Sequence, residues 1–230
     1  NNSTEEKTFA YYEKLQKECS KVQVYYYKGN FNYSKINNFG VQYAKGKYLL
    51  LLNNDTEMIN DDCIEELLGY CTRSDVGIVG ARLYYEDDTI QHAGVVIGFG
   101  GIAGHCFVQQ PRGNTGYCHR IICAQDYSAV TAACMMVKRS VFEEVGGLTE
   151  ELAVAFNDID FCMKVRQKGY LVVYNPYAEL YHYESKSRGL EDTPEKQERF
   201  HKEIQTFETR WPEILKNGDP YYNPNLSLDT

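Results

Sequence analysis

What this 230-residue chain lacks narrows its roles first. It has no cluster of lysines and arginines, and its formal net charge is -8. Binding to nucleic acid rests on neutralising phosphates with basic side chains, so no nucleic-acid partner is expected. No apolar run approaches the roughly 18 residues of a membrane span, and neither a transmembrane segment nor a signal peptide is expected. The eight cysteines (19, 63, 71, 106, 118, 123, 134 and 162) contain no C-x-x-C and no Cys/His metal spacing. Several fall within apolar periodic runs, where a thiol acts as a small hydrophobe, so reduced thiols and a cytoplasmic setting are expected. No G-x-G-x-x-G follows a strand, which discounts a dinucleotide-binding enzyme.

Hydrophobic residues, at 43%, are enough for a substantial core. A chain this long buries roughly 70% of its unfolded surface. Tyrosine is common, at 20 copies, which suits both strands and amphipathic grooves. Capping signals and apolar spacing place a helix after Asn1-Asn2-Ser3-Thr4 (Ser3 and Glu6 as a capping box) and a strand over Val22 to Tyr26. They place a helix from Ser34 to Ala44, then the run Tyr48-Leu49-Leu50-Leu51-Leu52 as a strand buried mid-sheet, then a helix capped by Asn60. Val76 to Ala81 follows as a strand, and the alternation is that of a parallel sheet. A chain of that kind should open on a strand, so at least one N-terminal strand is expected to be missing.

Further on, Gln91 to Gly98 and Ser128 to Val137 read as strands, and Ser140 with Glu143 as a second capping box. Asn157 to Lys168 reads as a helix stopped by Gly169, Leu171 to Tyr174 as a strand, and Pro176 to His182 as an edge segment. Thr193 and Pro194 open a last helix bearing Phe200, Ile204, Phe207 and Trp211, with an irregular tail after Pro212.

Three places could carry chemistry. Asn53-Asn54-Asp55-Thr56 follows the leucine strand at its carboxyl end, where open α/β sheets bind ligands. Asp55 is a capping turn residue or a ligand for a divalent metal that carries phosphates. His182 ends an extended segment and is structural or a metal ligand beside a carboxylate. Asp158 opens a helix between Asn157 and Asp160; it is a cap, or a proton acceptor kept ionised by the helix dipole. His92 and His105, near glycine-rich segments, line an acceptor site or serve the core.

Together the chain resembles glycosyltransferase family 2, the inverting, nucleotide-sugar-dependent enzymes of the GT-A fold. The matching stretches are N-N-S-T, A-K-G-K-Y-L-L-L-L-N-N-D-T, T-A-A-C-M-M-V-K-R-S-V-F-E-E-V-G-G-L, F-N-D-I-D-F-C and Y-H-Y-E-S-K-S-R-G. They resemble most the bacterial branch that builds surface polysaccharides, including rhamnosyltransferase-like proteins. The resemblance implies an α/β GT-A-like fold with a mostly parallel sheet over residues 1–190. Residues 191–230 would then be a C-terminal helix and tail packed on the same domain.

It also implies that Asn53-Asn54-Asp55 occupies the D-x-D place, with Asn53 replacing the first Asp and Asp55 keeping the metal-binding one. His182 matches the second metal ligand, for Mn²⁺ or Mg²⁺, and Asp158 the catalytic base. Asn37, Asn38, Asn53, Asn54, Ala132 and Arg188 fall at donor-binding places, with Ala132 and Ala133 leaving room for the sugar. The implied partners are a nucleotide diphospho-sugar and a glycan or lipid-linked acceptor, with peripheral membrane association and a homo-oligomer through an exposed sheet edge. The competing reading is a non-catalytic GT-A remnant that folds or oligomerises without binding donor.

Overall fold

A computed structural model describes residues 5–183 and 193–229. In chain order the elements are α1 (Glu6–Glu18), α2 (Tyr33–Val41), β1 (Tyr48–Leu52), β2 (Thr56–Met58), α3 (Cys63–Cys71) and β3 (Val76–Tyr84). Then come β4 (Ile90–His92), β5 (Val95–Ile97), β6 (Ala103–His105), β7 (Gln125–Asp126), β8 (Cys134–Lys138) and α4 (Arg139–Glu144). The chain closes with α5 (Asn157–Gln167), β9 (Leu171–His182), α6 (Pro194–Arg210) and α7 (Pro212–Asn217).

The main sheet runs β1-β8-β3-β9-β2, with β4 on β3 and β7 on β9, and β5 with β6 forms a separate hairpin. β8 is antiparallel to both β1 and β3, while β3 and β9 are parallel. Thus β1, β3 and β9 share one direction and the sheet is mixed, within the α/β architecture that the resemblance implies. Each face is covered. Leu49 and Leu51 join Ile78, Phe142, Phe161 and Val165 beneath α4 and α5. On the other face Val79, Leu83, Met136 and Leu180 meet Cys63, Leu67 and Cys71 of α3, with Leu50 packed alongside. A strand with apolar layers on both sides needs the unbroken leucines found in β1, and each fully buried one contributes roughly 1.5–3 kcal/mol. At Gly77 the helix presses close: an added Cβ would lie 2.5 Å from a methyl of Val165 on α5.

Several sequence expectations are corrected. Val22 to Tyr26 forms no strand; it packs beside α2 and the turn after it, with Tyr25 stacked on Tyr43 at 3.9 Å and the next residue but one, Tyr27, edge-on to Phe39 at 5.6 Å. β1 stands at the end of the described sheet, not in its middle, and its partner is antiparallel. Pro176 to His182 is no edge, because β9 continues through it and β2 covers its outer side. The segment Gln91 to Gly98 splits into β4 and β5 at Gly94, whose φ of +97° no strand accommodates. The second long strand begins only at Cys134.

The caps differ too. Glu5 precedes α1, and Ser3 lies outside the described residues. Asn32 caps α2, accepting from the Lys35 amide at 2.9 Å, while Ser34 is buried and donates to the Leu152 carbonyl. Asp62, not Asn60, precedes α3, and Lys138, not Ser140, precedes α4. Asn60 instead bridges to the Tyr177 carbonyl and the Glu179 amide. The tail after Pro212 is not all irregular: α7 occupies it, with proline at its first turn. Thr193 caps α6 as expected.

Candidate functional site

The rim at the carboxyl ends of β1, β3 and β9 is built by β2, a three-residue strand. The β2–β9 ladder sets Thr56 opposite His182, and the Tyr183 amide donates to the Asp55 carbonyl at 2.8 Å. Thr56 Oγ1 closes the preceding turn by donating to the Asn53 carbonyl at 2.8 Å. Residues 127 positions apart in sequence therefore meet: His182 Nε2 lies 3.3 Å from Asp55 Oδ1 and 3.1 Å from Asn53 Nδ2.

The opposite ring nitrogen, His182 Nδ1, lies 2.7 Å from Gln91 Oε1. An amide oxygen only accepts, so Nδ1 carries the proton and Nε2 of a neutral ring presents a lone pair. That lone pair takes the Asn53 amide hydrogen, and it also faces Asp55 Oδ1, a buried oxygen with no hydrogen-bond partner among the described residues. Two acceptors facing each other at 3.3 Å repel, and a buried oxygen without a donor costs about 1–3 kcal/mol. A proton on Nε2 or a divalent cation would relieve both. An imidazole nitrogen beside a carboxylate oxygen is a donor set suited to Mn²⁺-like ions. Among the described residues no third His, Cys, Asp or Glu joins them, so the remaining ligands would have to come from water or from a phosphate-bearing substrate.

Asp158 stands one backbone step away. Its Oδ2 accepts from the Ala132 amide at 3.2 Å, and the neighbouring Ala133 carbonyl accepts from the Asn53 amide at 2.9 Å. Ala132 and Ala133 are thus the link between the carboxylate on α5 and the Asn53–Asp55 turn. Tyr33 donates to the Ala132 carbonyl at 2.9 Å. Burial first, and the charge of Asp158 second, push its phenol well above the ordinary range, so it stays protonated and able to donate to that carbonyl. Asp158 is half-buried, and its Oδ1 accepts from the amide of Ile159. It is not the cap of α5. Phe156 holds that place in the left-handed region at φ +61°, its ring against Phe200 and Phe207 of α6, each 5.6 Å away. Buried Glu203 of α6 accepts the amides of Val154 and Ala155, fixing the chain that leads into α5.

The other expected donor-binding residues scatter. Asn54 is exposed on the turn. Asn37 donates back to the Tyr33 carbonyl within α2. Asn38 exchanges hydrogen bonds with the carbonyl and amide of Leu148 at 2.9 Å, which ties α2 to the loop after α4. Arg188 lies outside the described residues. His92 is fully buried: Nδ1 donates to the Ala81 carbonyl, Nε2 accepts from the Thr131 amide, and burial and then His105 hold it neutral. It belongs to the core. Two contributors went unrecognised in the sequence, Gln91 and Tyr33. A glutamine inside the apolar run Ile90 to Ile97 was the available signal for the first; nothing local marked the second.

The model of the family described as glycosyl transferase family 2 matches residues 1–146. The chain belongs to that family. It is 36% identical over 231 residues to the O-antigen biosynthesis protein RfbC of Myxococcus xanthus, covering 99% of this chain and 17% of that protein. It is 48% identical over 230 residues to the uncharacterized protein y4gI of Sinorhizobium fredii, covering 100% of this chain and 25% of that one. The chain therefore spans a quarter or less of the length of these curated relatives. It also resembles, over 60 residues at 35% identity, an N-acetylglucosaminyl-diphospho-decaprenol L-rhamnosyltransferase of Mycobacterium tuberculosis, covering 26% of this chain and 20% of that enzyme.

Among solved structures, GalNAc-T7 with UDP, GalNAc and Mn²⁺ superposes with a TM-score of 0.65 at 14% identity, over 92% of this chain and 40% of that one. The mannosyltransferase PcManGT of Pyrobaculum calidifontis, in complex with GDP-Man and Mn²⁺, gives 0.55 at 14% identity, over 88% and 53%. At that identity they establish the family's fold for this chain. No helix among the described residues is long and apolar enough to cross a membrane.

Proposed function

We propose that this chain is the sugar-transferring unit of a metal-dependent, inverting glycosyltransferase acting in surface-polysaccharide synthesis. The observation that carries the reading is the buried, donorless Asp55 Oδ1 facing His182 Nε2 at the sheet rim, one backbone link from the Asp158 carboxylate. Asp55 and His182 would hold Mn²⁺ or Mg²⁺, which when bound neutralises charge developing on a leaving diphosphate. The donor is a nucleotide diphospho-sugar, consistent with what GalNAc-T7 and PcManGT hold in their complexes.

Ala132 and Ala133, with no side chain beyond Cβ, leave the sugar room beside the rim. Asp158 accepts the proton of an acceptor hydroxyl as that oxygen attacks the anomeric carbon from the face opposite the leaving group. One displacement inverts the configuration. Among the described residues backbone amides, not cationic side chains, hold Asp158 in place, and with these contacts it can gain a proton without breaking an ion pair. The acceptor is a glycan or lipid-linked hydroxyl, a reading supported by the similarity to the O-antigen biosynthesis protein. A cytoplasmic setting belongs to the same proposal and draws on the eight free thiols.

Calorimetry with UDP-, GDP- and dTDP-sugars, with and without Mn²⁺, tests this. One donor class should bind only with the metal, and Asp55→Ala should abolish that binding. If no nucleotide sugar binds, or Asp55→Ala binds equally well, the assignment is wrong.

A further inference from the structure

We infer that Gln91 is the positioning residue that makes His182 a metal ligand, by locking its ring in the Nδ1–H form and turning Nε2 toward Asp55. The inference rests on the metal site proposed above and assigns a role to a residue that site does not include. Gln91 is 2% exposed and sits in the middle of β4, against β3. Its amide has one possible orientation. Nε2 lies 3.1 Å from the His182 carbonyl oxygen, which can only accept, so the amide nitrogen must face that carbonyl. The amide oxygen then faces His182 Nδ1 at 2.7 Å and can only accept from it. One glutamine side chain thus grips both the backbone and the ring of the same histidine, and the carbonyl settles a proton position that coordinates alone leave open.

The backbone of Gln91 is itself held. Its carbonyl accepts from His105 Nδ1 at 2.9 Å, and the His105 ring meets His92 edge-on at 5.0 Å. His92 in turn is fixed by the Ala81 carbonyl and the Thr131 amide at 2.9 and 3.2 Å. The strand carrying Gln91 is therefore braced on either side, and the grip on His182 is rigid. Metal-bound imidazoles generally need such a partner on the other nitrogen, and losing it costs about 10–100-fold in metal affinity. Here an amide plays the part more often taken by a carboxylate or a backbone carbonyl. It adds no charge to a rim already carrying Asp55.

The test uses two variants and two readouts. In metal-free protein at about pH 8, above the usual histidine range, long-range ¹⁵N–¹H correlations should show His182 as the Nδ1–H tautomer. Gln91→Met, close in shape but without an acceptor, should shift the ring toward Nε2–H and weaken Mn²⁺ binding by about 10–100-fold. Gln91→Glu, which restores the acceptor toward Nδ1 but not the donor toward the His182 carbonyl, should recover the tautomer and regain at least part of the Mn²⁺ affinity lost in Gln91→Met. An Nε2–H ring in the unsubstituted protein would overturn the inference, whether or not Gln91→Met folds. So would a folded Gln91→Met that binds Mn²⁺ as tightly as its parent. Failure of the unsubstituted protein to bind Mn²⁺ overturns the metal reading instead, and the two failures are separable because the tautomer is read without metal.

Discussion

Asp55 and Asp160 are both carboxylates with oxygens shut away from water, and their hydrogen-bonding is opposite. Asp160 is fully buried and both its oxygens have donors: Arg210 Nε at 2.6 Å and Trp211 Nε1 at 2.8 Å reach one, and Thr149 Oγ1 at 2.6 Å reaches the other. It ties the end of α6 to α5. Asp55 has a buried oxygen that nothing among the described residues donates to, opposite a second acceptor. A carboxylate with donors on both oxygens is part of the scaffold, whereas one kept short of donors inside a rigid rim is poised for a partner from outside. Asp158 lies between these extremes, two residues from Asp160 on the same helix, held by backbone amides alone among the hydrogen bonds it makes.

The sharpest break between the two carboxylates of α5 is kinetic. Asp158→Asn keeps the shape and its one oxygen can still accept one of the two backbone amides, but its amide nitrogen cannot accept the other and the side chain cannot take up a proton. Turnover should fall by about 10²–10⁴-fold, the usual contribution of a general base, while donor affinity and thermal midpoint stay near those of the parent. Steady-state rates beside calorimetric donor binding check this; equal loss of both would make Asp158 a structural residue.

Next comes stability. Asp160→Ala removes three hydrogen bonds from the junction of α5 and α6 and strands the buried Trp211 indole, while Arg210 can turn to water; a buried donor left unpaired costs about 1–3 kcal/mol. Asp55→Ala should change unfolding free energy by less than about 1 kcal/mol, since the group it deletes is itself unsatisfied, yet it should abolish Mn²⁺ binding. Chemical denaturation of the two variants side by side gives the answer. Similar losses for both would erase the distinction between scaffold and site.

A smaller effect probes the same rim from the other side. Asn53 now donates to His182 Nε2 at 3.1 Å and occupies the lone pair a metal needs. Asn53→Asp would replace that donor with a second carboxylate, and added ligand charge generally tightens divalent sites. About a tenfold gain in Mn²⁺ affinity is expected by calorimetry. No gain would mean that the side chain at 53 points away from the ion.

These contrasts also explain which parts of the molecule could be read from sequence. The leucines of β1, the start of α5 at Asn157 and the Thr193-Pro194 opening of α6 are local signals: apolar continuity, a helix stop at Gly169, a capping hydroxyl. Direction is not local. Nothing in Cys134 to Lys138 says that the strand runs against its neighbours, because a strand with both faces buried has the same composition either way. Val22 to Tyr26 has strand-like residues, but a strand exists only by pairing, and its aromatic rings found α2 instead. At the rim, Asp55 and His182 stood out by residue type at element ends. β2, which joins them, is three residues long and below any periodicity test, and Gln91 was hidden because its importance lies in one contact 91 residues away.

The last contrast concerns His92, the core histidine one residue from Gln91. Burial first, then the neighbouring His105, hold it well below the usual imidazole range. Both its nitrogens are already committed, Nδ1 as donor and Nε2 as acceptor, so a second proton would break the contact with the Thr131 amide. The sign follows from proton counting. Below about pH 6.5 the unfolded chain takes up a proton at this residue that the folded chain refuses, so acid favours unfolding. Stability is complete above that pH and declines as pH falls toward the folded value, with a limiting slope of about 1.4 kcal/mol per pH unit from this group. His92→Gln will be less stable overall, having lost one of the two contacts, but its stability-versus-pH curve should be flatter than the parent's by that slope between about pH 6.5 and 5. Groups common to both proteins that lie away from His92 cancel in the difference. Parallel curves would mean that His92 takes up its proton in the folded state, and that the brace behind Gln91 is looser than its hydrogen bonds indicate.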